Sequence, residues 1–201
     1  MNAPVRPPNA PERLRLSVDD FLLLQESNAF EAYAKTELID GEIYGMNSQF
    51  SRHARIKFRI ARMIADHLDR SGSDLHVLPE VCVRVAHDSA PEPDIVVTRF
   101  HGDREVPADT VVLLVEVADT TLDRDLGRKA ELYAAAGVPE YWVVDVNGGR
   151  VTLHHRPDPG GYAHRADVAF GATLTSVAID GLAVETAGLA DCAPFTASAR
   201  G

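Results

Sequence analysis

The sequence predicts an α/β (α+β) fold in which helices cover a sheet, and three observations carry that prediction. Short β-branched runs bounded by polar or proline-containing segments read as buried strands: Ile95-Val96-Val97 after Pro93-Asp94, Val111-Val112-Leu113-Leu114-Val115, and residues 140–145. Residues 51–70 repeat apolar side chains at helical spacing, with Ile56, Ile60, Met63, Ile64 and Leu68 on one face. Between the second and third strand runs, Leu126, Leu132, Tyr133 and Ala136 mark another helix, stopped by Gly137 with Pro139 just beyond.

The remaining elements follow in chain order. Residues 1–13 are Pro-rich and read as a flexible lead. Ser17-Val18-Asp19-Asp20 resembles a capping box ahead of the Phe21-Leu22-Leu23-Leu24 run, which predicts a short helix. Asp40-Gly41 between Thr36-Glu37-Leu38-Ile39 and Glu42-Ile43-Tyr44 is a strong hairpin signal, because a type I′ turn needs positive φ at both central positions. Glu37 and Glu42 read as solvent-facing strand residues. Residues 75–85 alternate apolar and polar and read as one strand with Glu80 embedded after Pro79. Residues 99–109 form a polar loop, and 120–125 are rich in capping residues. Residues 150–155 and 162–168 make a hairpin whose adjacent His154 and His155 face opposite sides. Residues 172–190 offer one or two short elements, and 193–201 read as a frayed tail.

At 201 residues, with ordinary apolar and charged fractions, the chain suits one domain over 14–192. The net charge of −10 repels nucleic acid and acidic membranes overall, so any nucleic-acid role needs a local basic patch. Helix 51–70 supplies one. Arg52, Arg55, Arg59 and Arg62 recur at intervals of three, four and three, on a face apart from the apolar one. Such a stripe is usually a solvated surface, yet in this acidic chain it is where a phosphate backbone is attracted. His53 lies in the first turn of the same helix. Cys82 and Cys192, the only cysteines, lack metal-ligand spacing, and no signal peptide or apolar run of membrane-spanning length is present. A reducing cytoplasm without membrane association is the expectation.

Two carboxylates stand out within this frame. Adjacent strands joined by a short excursion run antiparallel, and placing Thr98 opposite Val112 sets Asp94 opposite Glu116. Opposed residues have Cβ atoms roughly 4.5–5.5 Å apart. Carboxylates that close repel unless a cation lies between them or one is protonated, and a hard divalent ion held by oxygen ligands resolves the conflict. The plainer alternative is that acidic residues at strand ends cap helices or face water.

The order helix, strand, strand, strand, helix, strand, with Pro93-Asp94 and Glu116-Val117-Ala118-Asp119, resembles the PD-(D/E)XK nuclease superfamily. Asp125-Leu126-Gly127-Arg128-Lys129, Leu132-Tyr133, Glu37-Leu38-Ile39-Asp40-Gly41-Glu42 and Ala136-Gly137-Val138-Pro139-Glu140-Tyr141-Trp142 narrow the resemblance to the Uma-two family of endonucleases. The resemblance implies a restriction-endonuclease-like core. Its mixed central sheet is flanked by helices, with an N-terminal helix-hairpin and a C-terminal hairpin. It also implies metal-dependent hydrolysis of phosphodiester bonds, with DNA as the expected partner and a homodimer as the expected assembly.

On this reading Asp94, Glu116 and the Val117 carbonyl hold Mg²⁺ or Mn²⁺. Glu80 ligates a second ion or positions the water, and Arg52, His53, Arg55 and Arg59 hold the nucleic-acid backbone. The superfamily places a lysine two residues after the glutamate, where this chain has Ala118, and Lys129 is the implied substitute. Two competing readings are a degenerate nuclease-fold module that binds without turnover and a hydrolase of small phosphoesters.

Overall fold

The computed structural model describes residues 13–47 and 50–190. The expected lead (all but its last residue), the tail and Cys192 lie outside them. Helix α1 (Val18–Glu26) opens on a complete capping box, with the Asp20 amide donating to Ser17 Oγ at 3.2 Å. Strands β1 (Lys35–Ile39) and β2 (Glu42–Met46) form the expected hairpin. Asp40 at φ 52° and Gly41 at φ 74° supply the positive-φ pair of its turn. Helix α2 (Ser51–Ser71) ends on Gly72 in the left-handed conformation.

Strands β3 (His76–Pro79), β4 (Val83–Arg84), β5 (Ile95–Thr98), β6 (Val106–Pro107) and β7 (Val111–Ala118) follow. Next comes a continuous helical segment: α3 (Leu122–Arg124), a π-helical turn (Asp125–Lys129) and α4 (Ala130–Ala135). Strand β8 (Glu140–Asp145) precedes the long hairpin of β9 (Arg150–Asp158) and β10 (Gly161–Ala169). Strands β11 (Thr173–Thr175) and β12 (Ala183–Glu185) and helix α5 (Ala187–Ala190) complete the described chain.

Six strands form a central mixed sheet in the order β10-β9-β8-β7-β5-β3, in which only β7 and β8 are parallel neighbours. That parallel step requires a crossover, and the α3–α4 segment supplies it. All eight residues of β7 are buried, as a strand covered on both faces must be. One face packs on α2 through Ile56, Ile60, Ile64 and Leu68, against Val115, Val117 and Trp142. The other packs on α4 through Ala130 and Tyr133, against Leu114, Ala118 and Val143. No described helix is long and apolar enough to cross a membrane.

Two expectations are corrected. Residues 75–85 are not one strand: β3 ends at Pro79, and Glu80 turns the chain at φ 51° before β4 pairs with β6 in a separate ribbon. Thr98 pairs with Val111 rather than Val112, because a bulge shifts the register after Val97.

Glu140 illustrates how far the sheet depends on a buried carboxylate. It shares a face of β8 with Trp142, whose indole N–H donates to Glu140 Oε1 at 2.7 Å. Ser176 Oγ at 2.5 Å and the Ala178 amide at 2.9 Å donate to Oε2, which pins the loop after β11. Replacing Glu140 with alanine orphans these donors at about 1–3 kcal/mol each, so urea unfolding should show a loss of about 3 kcal/mol or more. A loss below about 1 kcal/mol would mean that solvent satisfies them.

Candidate active site

The register Ile95↔Val115, continued back by one residue, sets Asp94 beside Glu116 just before β5 begins. The juxtaposition read from the sequence therefore survives the bulge, which lies at the strand's other end. Asp94 is buried and accepts from the Val117 amide at 2.8 Å. The same oxygen, Oδ2, lies 3.2 Å from His53 Nε2. His53 is buried in the first turn of α2, so it belongs to the carboxylate site and not to the exposed arginine face where the sequence placed it.

Glu116 is tied to the crossover helix. Lys129 Nζ stands 2.8 Å from Glu116 Oε1, 2.9 Å from Glu37 Oε2 and 3.8 Å from Asp125 Oδ1. Tyr133 donates its hydroxyl to the same Glu116 oxygen at 3.1 Å. Asp125 and Lys129, four residues apart in the π-helical turn, are both buried on its inward face, and turns of this kind recur at functional sites. Thr121 Oγ1 fixes Asp125 at 2.5 Å. Lys129 is only 2 % exposed, so it is not a solvated helix residue.

Glu37, read from the sequence as solvent-facing, is also misplaced by that reading. It is fully buried, with Lys129 on one oxygen and Arg124 Nη2 2.8 Å from the other. Hairpin β1–β2 lies against the crossover helix, and the cations that make Glu37's burial tolerable come from about ninety residues downstream. Local alternation carries no trace of them; the one available signal is Glu37's place at the head of the Glu37-Leu38-Ile39-Asp40-Gly41-Glu42 motif. Glu42, by contrast, is exposed as expected.

A cavity of about 300 Å³ opens on this cluster, lined among others by Lys35, His53, Asp94, Glu116, Asp125 and Lys129. The oxygen donors of Asp94, Glu116 and the Val117 carbonyl suit a hard divalent ion. The hydrogen bonds described for Glu116 all fall on Oε1, so Oε2 is the oxygen a cation would take. Among the described residues no three His, Cys, Asp or Glu side chains form a ready metal cluster, so water or a phosphate oxygen would complete the shell. The donor set fits Mg²⁺ or Mn²⁺ on those terms.

Glu80 does not line the cavity; its carboxylate, half exposed, meets Lys57 Nζ at 2.5 Å. Of the arginine stripe, Arg52 turns to the Val146 carbonyl and to Asn147 Oδ1. Arg55 and Arg59 line a separate groove of about 470 Å³ with Phe58 and Arg62, and Arg59 also donates to the Gly188 carbonyl.

Electrostatics separate the two carboxylates. Burial pushes Glu116 up to about 7; Lys129 opposes that rise, and Asp125 and Asp94 add to it. Burial also raises Asp94, but the His53 hydrogen bond, Lys35 and the Val117 amide outweigh it and hold the carboxyl at about 2. Lys129 loses by burial and gains more from Glu116, Glu37 and Asp125, so its ammonium is held well above the usual range.

Asp94's folded value lies below its ordinary 3.8, so its stabilisation is complete above that pH and disappears as pH falls through about 2. The stability difference between wild type and Asp94→Asn should therefore be constant from neutral pH to about pH 4 and shrink by about 2 kcal/mol toward pH 2. A difference that stays flat across that window would contradict the assignment.

The chain matches the Uma2 family, described as "Putative restriction endonuclease", over residues 18–187. It is also similar to a crystal structure from Anabaena variabilis ATCC 29413, described as a putative nuclease belonging to DUF820. The identity is 16%, the TM-score is 0.69, and the likeness covers 88% of this chain and 98% of that one. At that identity the likeness establishes the fold. No curated protein matches the chain. With the family model matching residues 18–187, from α1 to the start of α5, the chain belongs to the Uma2 family.

Proposed function

We propose that the chain is a metal-dependent endonuclease that hydrolyses phosphodiester bonds of nucleic acid, DNA foremost, with a metal-activated water. The observation that supports this best is the convergence of Asp94, Glu116 and a charged Lys129 on one cavity. Membership of an endonuclease family points the same way, and restriction-endonuclease-like nucleases generally use divalent metals.

Asp94, Glu116 and the Val117 carbonyl would hold Mg²⁺ or Mn²⁺. The bound ion would supply charge for a phosphate oxygen and a lowered pKa for its water. His53 and the Val117 amide fix the Asp94 carboxylate, so a ligand is oriented before an ion arrives. The Lys129 ammonium opposes the protonation of Glu116 that burial favours and would offset negative charge that grows on the phosphate. Arg55 and Arg59 would attract the backbone without reading bases. A homodimer would let two such sites cut both strands.

A second reading, a module that binds without turnover, draws on Ala118 standing where the superfamily has its lysine and on Lys129 being enclosed by three carboxylates. Lys129→Met separates the two. Incubated with Mn²⁺ and plasmid DNA, RNA or a small phosphodiester, the wild type should cleave nucleic acid, and the variant should be slower by about two to three orders of magnitude. Because the variant strands buried carboxylates, it should also unfold earlier by about 3 kcal/mol, so rates are compared on folded protein. Wild-type protein that binds Mn²⁺ and DNA yet cleaves none of these substrates would favour the binding module.

A further inference from the structure

An ammonium that the cavity reading does not use stands against Asp94. Lys57 follows His53 by four residues on α2, so both project from one helix face. They take the two oxygens of Asp94 separately: His53 Nε2 lies 3.2 Å from Oδ2, and Lys57 Nζ lies 3.8 Å from Oδ1. Lys57 is also anchored at 2.5 Å to Glu80 Oε1, and its side chain is only 13% exposed.

Glu80 is held for this contact by an uncommon backbone. Its φ of 51° is a left-handed value that side-chain-bearing residues seldom adopt, and its amide donates to the Asp94 carbonyl at 3.3 Å. Glu80 and Asp94 are thereby fixed to each other at the backbone and share one cation at their side chains.

We infer that Lys57 is a positioning residue, an internal counter-ion that orients the Asp94 carboxylate in the metal-free protein and lowers the site's affinity for a divalent ion. The inference rests on the reading of the cavity as a divalent-ion site. Lys57 does not line the cavity and so acts through Asp94 rather than on reacting groups. An ammonium within a few ångströms of a carboxylate ligand opposes the approach of a dication to that ligand. Glu80, with Lys57 on it, is neutralised instead of adding its charge to the site.

The test is calorimetric titration of Mn²⁺ into the metal-free wild type, Lys57→Met and Lys57→Arg, each confirmed folded by circular dichroism. Lys57→Met should bind Mn²⁺ about tenfold more tightly or better, while Lys57→Arg, which keeps the charge, should stay within about threefold of wild type. Tightening in Lys57→Met where the wild type binds too weakly to measure also supports the inference. Binding by the wild type that is unchanged or weakened in Lys57→Met overturns it and leaves the metal reading standing. No binding by any of the three proteins overturns both.

Discussion

One buried ammonium holds the site together. Lys129 is almost wholly enclosed, and a buried charge is tolerable only when it is paired and hydrogen-bonded. Its partners come from three places: Glu37 from hairpin β1–β2, Glu116 from the central strand β7, and Asp125 from its own helical segment. The pairing docks the hairpin onto the sheet and fixes the crossover helix over β7. It also allows three carboxylates to lie within reach of one cation. The cavity residues retain an excess of acid, with Asp94, Glu116, Asp119 and Asp125 against Lys35, Arg124 and Lys129. A cavity with that imbalance attracts a cation, although the chain's overall charge would repel a polyanion.

Sheet geometry determines where the imbalance falls. Glu116 lies near the end of a strand buried on both faces, so its carboxylate has no route to bulk water except the cavity. Asp94 sits one residue before β5, where the first turns of α2 reach it with His53 and Lys57. The site therefore draws on both layers that cover the sheet. The helical segment 122–135 belongs to the same logic, because Asp125 and Lys129, four residues apart, both turn inward from it.

What the sequence disclosed was local, and what it hid was the partnership of distant segments. Helix α2, the Asp40-Gly41 hairpin, the Ser17 cap and the Gly137 stop each rest on a few neighbouring residues, and all stand in the structure. Asp94 and Glu116 were legible because two short strands with a short connection leave little freedom of register. Glu37 was not legible, since Lys129 and Arg124 lie far along the chain, and a strand glutamate without visible partners reads as solvent-facing. Glu80 looked like a strand residue because alternation across residues 75–85 conceals the turn at φ 51°. His53 shares a helix with the arginines, and only packing shows that it turns to Asp94. The phrase around Glu140-Tyr141-Trp142 identifies the family, yet in the structure Glu140 serves the fold by tying down residues 176–178.

The central claim is that Asp94 and Glu116 share a divalent ion in this cavity. Anomalous diffraction at the manganese edge, from crystals grown with Mn²⁺, tests it most directly. The account predicts a peak between the Asp94 and Glu116 carboxylates, within about 2.0–2.6 Å of an oxygen from each, as hard cations require. A saturating Mn²⁺ soak that gives peaks only elsewhere, with Lys129 and Glu116 still paired in an ion-free cavity, would contradict it.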